Sequence, residues 1–378
     1  MNERFSQADL FSDEHATEDR DYMSDQIITY IGNKRRLIPM IEESLRLSLT
    51  EIGAKDASFA DVFAGTGIVS RMARRYVKSL HINDFEEYSA FSNKVYHSNW
   101  SCVPTEEVEV WRKKINAAGA RGDRIGFVSE LYAPADEDNI TAKDRVFYSK
   151  RNAAFIDSAR AAIDQSPKHV RPYLLAPLLQ RASVHVNTSG VFKGFYKNKE
   201  GVGQFGGTMK NALQRIRAHI SVPFPVLSRF ERDTFVTKKE AADFVREMPE
   251  VDVAYLDPPY NQHPYGSNYF MLNLILKNQR PDEISRVSGI PKHWQRSPYN
   301  TRSEAGPALA RITSSCPAKV LLVSYNSEGF ISTDEMMSIL EPLGQIAIFD
   351  RQYNTFRGCR NLSARPTHVT EMLFKVVR

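Results

Sequence analysis

Cysteine is scarce in this chain. Cys102, Cys316 and Cys359 are widely spaced and odd in number, so they form neither a disulfide framework nor a metal-ligand pair. A reduced, metal-free, cytoplasmic protein is the expectation. No apolar run approaches the ~18 residues that a membrane helix needs. The opening Met1-Asn2-Glu3-Arg4-Phe5 has no basic flank before an apolar core, so no secretory leader is expected. No Gly-Lys-Ser/Thr follows the glycine turns, which excludes a phosphate loop. Internal repeats and low-complexity tracts are also missing.

What remains is ordinary soluble composition over 378 residues, with 42% apolar and 25% charged. That length fits one large domain or two. The net charge of +5 hides an asymmetry: residues 1–25 hold eight acids against two bases. They read as a flexible acidic arm. The remaining body is mildly basic, which suits a polyanion partner.

The chain is organised around Val251–Tyr260, Val-Asp-Val-Ala-Tyr-Leu-Asp-Pro-Pro-Tyr. Its first six residues are strand chemistry. Pro258-Pro259 stops the strand, because proline has no N–H to give a sheet. Asp257 therefore falls at the carboxyl edge of a parallel strand, where open α/β sheets bind ligands. An ionised Asp257 accepts hydrogen bonds, Pro258 adds a carbonyl acceptor, and Tyr260 offers a flat face. Two acceptors beside a ring suit a planar heterocycle with an exocyclic amino group. The bland alternative is a strand followed by a proline-rich turn.

Upstream, Tyr30-Ile-Gly32-Asn33-Lys34 is a glycine turn opening a helix, with Leu37, Ile38, Ile41, Leu45 and Leu49 at helical spacing. It suits an anionic or carboxylate-bearing ligand, or is plain strand-to-helix punctuation. Ser58–Phe63 is a strand running into Ala64-Gly65-Thr66-Gly67 and a helix. Phe63-x-Gly65-x-Gly67 lacks a third glycine, so it suits a ligand carrying an amino acid and a nucleoside without pyrophosphate, such as S-adenosylmethionine. Leu80–Asn83 is the next strand. Asp84 follows 17 residues beyond Gly67, where a carboxylate holds a ribose diol or caps the helix Phe85–His97. Phe230–Phe235 reads as a strand edge carrying Asp233, which a neighbouring strand could aim at the adenine ring of such a ligand.

Between Cys102 and Pro225 the pattern turns helical (Thr105–Asn116, Arg145–Asp164, Arg171–Val186). Arg181–Arg232 holds nine Lys/Arg against two acids. Within it, Asn187–Lys197 looks like a hairpin with basic and aromatic tips. Lys193 and Lys197 would meet phosphates and Asn187 a base. Tyr265–Lys277 is a helix. Pro281–Glu304 is a basic loop beside the catalytic edge, and its Arg296 is a further candidate DNA contact. Val320–Ser324, Gln345–Phe349 and Val369–Val377 complete the sheet, the last two as antiparallel strands.

Taken in order, these motifs resemble the Dam-like N6-adenine-specific DNA methyltransferases. Tyr30–Lys34 is similar to the family's amino-terminal cofactor motif, Asp61-Val-Phe63-Ala-Gly65-Thr-Gly67 to its glycine motif, and Asp84 to its ribose acid. Asp233 is similar to the adenine-binding acid, although Thr234 stands where Phe is usual. Asn187-x-x-Gly190-x-Phe192 is similar to the recognition hairpin. Asp257-Pro258-Pro259-Tyr260 matches the catalytic motif in full.

The resemblance implies an α/β, Rossmann-like methyltransferase sheet with a mostly helical target-recognition insert. Residues 26–100 and 230–378 would be catalytic, and 101–229 the insert. It implies methyl transfer from S-adenosylmethionine to adenine N6 in double-stranded DNA, with Asp257, Pro258 and Tyr260 catalytic. Tyr30, Lys34, Phe63, Gly65, Gly67, Asp84, Asp233 and Asp257 would bind cofactor, without metal. A cognate restriction endonuclease and a bacterial or phage-type setting are further expectations. Cytosine-N4 methylation needs the same two acceptors, but those enzymes more often carry Ser at position 257. An RNA or protein amino-methyltransferase and an inactive specificity protein are the other readings. Methylation at cytosine C5 is discounted, since Cys316-Pro317 has the wrong order for its nucleophile.

Overall fold

In the computed structural model the described residues are 18–30, 32–207, 210, 212–354 and 368–378. Seven strands form one sheet: β1 (Ser58–Asp61), β2 (Ser79–Asp84), β3 (Asp233–Lys238), β4 (Val251–Leu256), β5 (Ala318–Asn326), β6 (Gln345–Asn354) and β7 (His368–Val377). Their order is β3-β2-β1-β4-β5-β7-β6. The first five are mutually parallel. β7 enters antiparallel between β5 and β6. β1 and β4 are neighbours, so the strand order reverses between them. A crevice opens outside their carboxyl ends at such a switch point.

Two apolar layers cover the sheet. One face of β1, β4 and β5 packs with helix Ala241–Glu247, helix Arg302–Ser315 and Met336. The other packs on helix Ile38–Glu51 and helix Ile68–Ala73 through Leu45, Leu49, Val69 and Met72. β1, β4 and β5 bury almost every residue. Such continuous apolar runs belong to parallel strands covered on both faces.

Between β2 and β3 the chain forms the expected helices with shifted limits: Thr105–Arg121, Lys150–Asp164 and Arg171–Val184. The first ends on Gly122 in the left-handed conformation, the second begins on Ser149, whose side chain accepts from Asn152 N. These are helix-stop and helix-start chemistry. The insert's helices share one buried cluster with Ile27, Tyr88, Val95, Tyr269 and Leu272. It is thus welded to the sheet's own helices.

Three local expectations change. Of the acidic arm, residues 1–17 lie outside the described residues. The remainder is anchored: Arg20–Ser24 is a helix with Tyr22 fully buried, and Glu18 accepts from Ser228 Oγ and Arg229 N. Tyr22 offers a large apolar surface that the arm's acidity conceals. Asn187–Lys197 makes a single antiparallel bridge, Lys197 with Gly203, beyond the expected hairpin. Its aromatics Phe192 and Phe195 are buried, packed on Phe147. The helix at Tyr265–Lys277 is broken in two at Tyr269. No helix among the described residues is long and apolar enough to cross a membrane.

Candidate active site

The crevice at the switch point is a cleft with about 870 Å³ of empty space, open solvent included. Its floor is built by the chain leaving β1. Val62 N donates to Tyr255 O on one side, and Ala64 N to Asn83 O on the other. The turn is thereby pinned between both neighbouring strands. Gly65 (φ +53°) and Gly67 (φ +70°) adopt left-handed conformations, which L side chains rarely do. A Cβ on Gly65 would lie 3.3 Å from the Tyr30 ring, and one on Gly67 would run into Asn93 Oδ1.

Asp84 ends β2 and braces this turn. Oδ2 accepts from Gly65 N at 2.7 Å and Oδ1 from Glu86 N at 2.8 Å. Burial raises its pKa, and these hydrogen bonds oppose the rise. Glu86, also buried, accepts from Asn273 Nδ2 at 3.1 Å, and burial and Asp84 push its carboxyl up to about 7. On β1, Asp61 Oδ2 accepts from Ser70 Oγ at 2.6 Å, while Oδ1 is buried without a hydrogen-bond partner. Burial raises Asp61 to about 7.

Tyr30 forms the cleft's aromatic wall. Its ring stacks on Tyr265 (4.9 Å between centroids) and on Tyr269 (4.7 Å). Phe63 meets Tyr299 edge-on at 5.1 Å. Tyr299 anchors the basic loop that follows the Asp257–Tyr260 tetrapeptide, and Gln295, Ser297 and Asn300 of that loop line the same cleft.

Asp257 stands just past β4. Lys34 Nζ lies 3.1 Å from Asp257 Oδ1 and 3.1 Å from Glu371 Oε2, with Lys34 and Glu371 buried. Burial opposes the ammonium, but Asp257 and Glu371 outweigh it and hold Lys34 protonated. Asp257 itself is pushed up to about 6, by burial above all; Lys34 lowers it and Glu371 raises it. The Lys34 ammonium also lies 5.6 Å from the Tyr260 ring centroid. The Tyr260 hydroxyl crowds Gly32, where a Cβ would come within 2.9 Å of it. Thus the amino-terminal motif and the Asp257–Tyr260 tetrapeptide are one cluster.

Of the cofactor residues read from sequence, Tyr30, Lys34, Phe63, Gly65, Asp84 and Asp257 line the cleft, and Gly67 supports it from the loop. Asp233 does not belong there. It is exposed at the start of β3, paired with Ser79. The cleft lies beyond the other end of that strand, roughly 17 Å away at 3.3 Å per residue. There Lys239, Glu240 and Ala241 line it instead. The strand begins where the sequence suggested an edge, and this reverses the acid's end of the sheet.

Asn187 also changes role. It is fully buried. Its Nδ2 donates to Val146 O and Gln204 O, and its Oδ1 accepts from Gly206 N. These three hydrogen bonds tie loops together. Lys193, Lys197 and Arg296 are exposed. Lys193 Nζ is 2.8 Å from His263 Nδ1, three residues past Tyr260. Glu86, Gln295, Asn300 and Glu371 escaped the sequence reading. For Glu371 a signal existed: an acid inside the apolar strand Val369–Val377.

A mostly parallel sheet with a glycine turn at its switch point, beside Asp-Pro-Pro-Tyr, is the architecture of an amino-directed nucleic-acid methyltransferase. The particular family follows from comparison with known proteins. The family described as D12 class N6 adenine-specific DNA methyltransferase matches residues 30–339, and the chain belongs to it. It is an adenine-specific DNA methyltransferase with a class I methyltransferase fold. Type II methyltransferase M.CviAII of Paramecium bursaria Chlorella virus 1 is 29% identical over 92% of this chain and 98% of its own length. Type II methyltransferase M.NlaIII of Neisseria lactamica is 27% identical over 92% of this chain and all of its own. Modification methylase StsI of Streptococcus sanguinis is 23% identical, matching about half of its length.

Proposed function

We propose that this enzyme takes its methyl group from S-adenosylmethionine, acts on an adenine flipped out of double-stranded DNA, and serves as the modification enzyme of a type II restriction system. The observation that carries the reading is the position of Asp257: at the carboxyl edge of β4, at the mouth of the glycine-floored cleft, ion-paired with Lys34. The residues present fit the cofactor. Asp61 Oδ1, a buried acceptor without a partner in the cleft wall, suits an α-amino group. The missing Cβ at Gly65 leaves room beside the Tyr30 ring. Asp84 and Glu86 leave lone pairs for a ribose diol. S-adenosylmethionine supplies an electrophilic methyl group.

The protein's own task is to present N6 and take its proton. Flipping removes the base from its stack at a cost of a few kcal/mol, and Tyr260 offers a ring to stack on. The Asp257 carboxylate and the Pro258 carbonyl accept the two N–H groups, which turns the nitrogen lone pair toward the methyl donor. Holding these partners in line accounts for much of the rate. A carboxylate shifted to about 6 is ionised above neutral pH yet basic enough to receive the N6 proton. Lys193, Lys197 and Arg296, exposed around the catalytic edge, supply phosphate contacts. The restriction role rests on the names of the relatives, which are type II methyltransferases.

Incubation with tritiated S-adenosylmethionine and mixed-sequence duplex DNA, followed by nuclease digestion, tests the chemistry. N6-methyladenine at one short sequence is the expected product, and the modified duplex should resist an endonuclease cutting that sequence. Label in N4-methylcytosine would overturn the pocket assignment. Methylation scattered without a site would overturn the restriction role.

A further inference from the structure

The Lys34 ammonium is held from two sides, and only one side is the catalytic motif. The other is Glu371, from the antiparallel strand β7, with its Oε2 3.1 Å from Lys34 Nζ. Glu371 is 1% exposed. Two carboxylates therefore share one buried ammonium. Burying such a set is costly unless it does something, and packing alone would be served by apolar residues like those flanking Glu371 on β7.

We propose that Glu371 is a positioning residue for methyl transfer, fixing the Lys34 ammonium and thereby the orientation and acceptor strength of the Asp257 carboxylate. When N6 attacks, positive charge develops on that nitrogen. The Asp257 carboxylate beside it stabilises this charge, and does so better the less of it Lys34 neutralises. Lys34 alone would pull electron density of Asp257 away from the target amine. Glu371 divides the ammonium's attention and leaves Asp257 a better acceptor. The ionisable groups facing Asp257 are Lys34, Glu371 on β7, Asp61 on β1, Tyr255 on β4 and Tyr265 beyond the tetrapeptide. Burial raises both tyrosines well above their ordinary range, so they stay neutral. Asp61 accepts from Ser70 Oγ, and Glu371 is the carboxylate that shares Lys34 with Asp257.

The test is Glu371→Gln, which keeps the shape and an acceptor oxygen but removes the charge. Single-turnover methyl transfer is measured from pH 5 to 9, with separate titrations of S-adenosylmethionine and DNA. The expected result is a rate about tenfold lower at pH 8, cofactor and DNA affinities within twofold of wild type, and an acid limb displaced to lower pH. Glu371→Asp, which keeps the charge, should hold the limb in place. An unchanged rate and limb in Glu371→Gln would overturn the proposal, as would a rate loss accompanied by equal loss of cofactor affinity. If Glu371→Gln does not fold, Glu371→Asp decides: a lowered rate with an unmoved limb supports positioning, and a wild-type rate refutes it. The inference rests on Asp257 as the N–H acceptor. A parallel Asp257→Ala separates the two: activity there overturns the acceptor itself, whereas an inactive Asp257→Ala with wild-type Glu371→Gln overturns only the role of Glu371.

Discussion

Asp257→Asn should cripple the enzyme and stabilise the protein at alkaline pH. The side chain is mostly buried, and its carboxyl is raised from 3.8 to about 6. A raised acid favours the fold below its unfolded pKa, near 4, and loses that contribution as pH climbs through about 6. At pH 8 the folded protein therefore holds the carboxylate ionised against a penalty of up to about 3 kcal/mol, taking about 1.36 kcal/mol per pK unit. Asparagine is isosteric and neutral, and Lys34 keeps its ion pair with Glu371. Urea melts without ligands should show the variant more stable at pH 8 by about 1–3 kcal/mol, with the gap closing toward pH 4. The same variant loses the charged acceptor for N6–H. Removal of one preorganised partner of this kind slows chemistry by about 10²–10³. Single-turnover transfer from labelled S-adenosylmethionine reads that directly. A variant less stable than wild type at pH 8 would refute the burial reasoning. One keeping more than a tenth of the rate would refute the acceptor role.

The other predictions concern the cleft and the DNA surface. Asp84→Asn keeps one acceptor oxygen and turns the other into a donor, so either Gly65 N or Glu86 N loses its partner and equilibrium dialysis should find cofactor binding weaker by about 1–3 kcal/mol. Gly67→Ala combines a left-handed backbone with a clash on Asn93, whose amide holds Gly65 O; thermal melts should show a loss of about 2 kcal/mol or more. Lys193→Glu with Lys197→Glu should weaken DNA binding and reduce the slope of log K against log salt by about 2, measured by fluorescence anisotropy. Asn187→Ala should destabilise the fold by about 1–3 kcal/mol, because three buried backbone groups lose their partner. The DNA affinity of its folded fraction should match wild type; a selective loss of DNA binding would restore Asn187 as a base contact.

Much of the site was legible before any coordinates, because it is written in residues with a single local reason to exist. Pro258-Pro259 ends a strand wherever it occurs, so Asp257 had to fall at a strand's carboxyl edge. Gly65 and Gly67 meet backbone demands that other residues satisfy poorly, and Asp84 lies one βα unit downstream. Local signals failed where a residue's meaning depends on register or on distant partners. Asp233 shows the first case: sequence marks a strand near it, but only the pairing with Ser79 places it at the amino edge, away from the cleft. Asn187 shows the second. Its polarity suggested a solvent-facing base contact, yet three backbone groups from Val146, Gln204 and Gly206 converge on it and close it in.

By itself, then, the sequence determined the strand ends, the glycine turn, the order of motifs and the amino-directed chemistry, since each depends on neighbours a few residues away. Tertiary structure alone decided which charges share a dielectric. Lys34, Asp257 and Glu371 come from three remote parts of the chain and meet only because the strand order sets β4 beside β5 and β5 beside β7. Coulomb interactions act through space and strengthen as water is excluded, so their partners are fixed by packing and not by spacing along the chain.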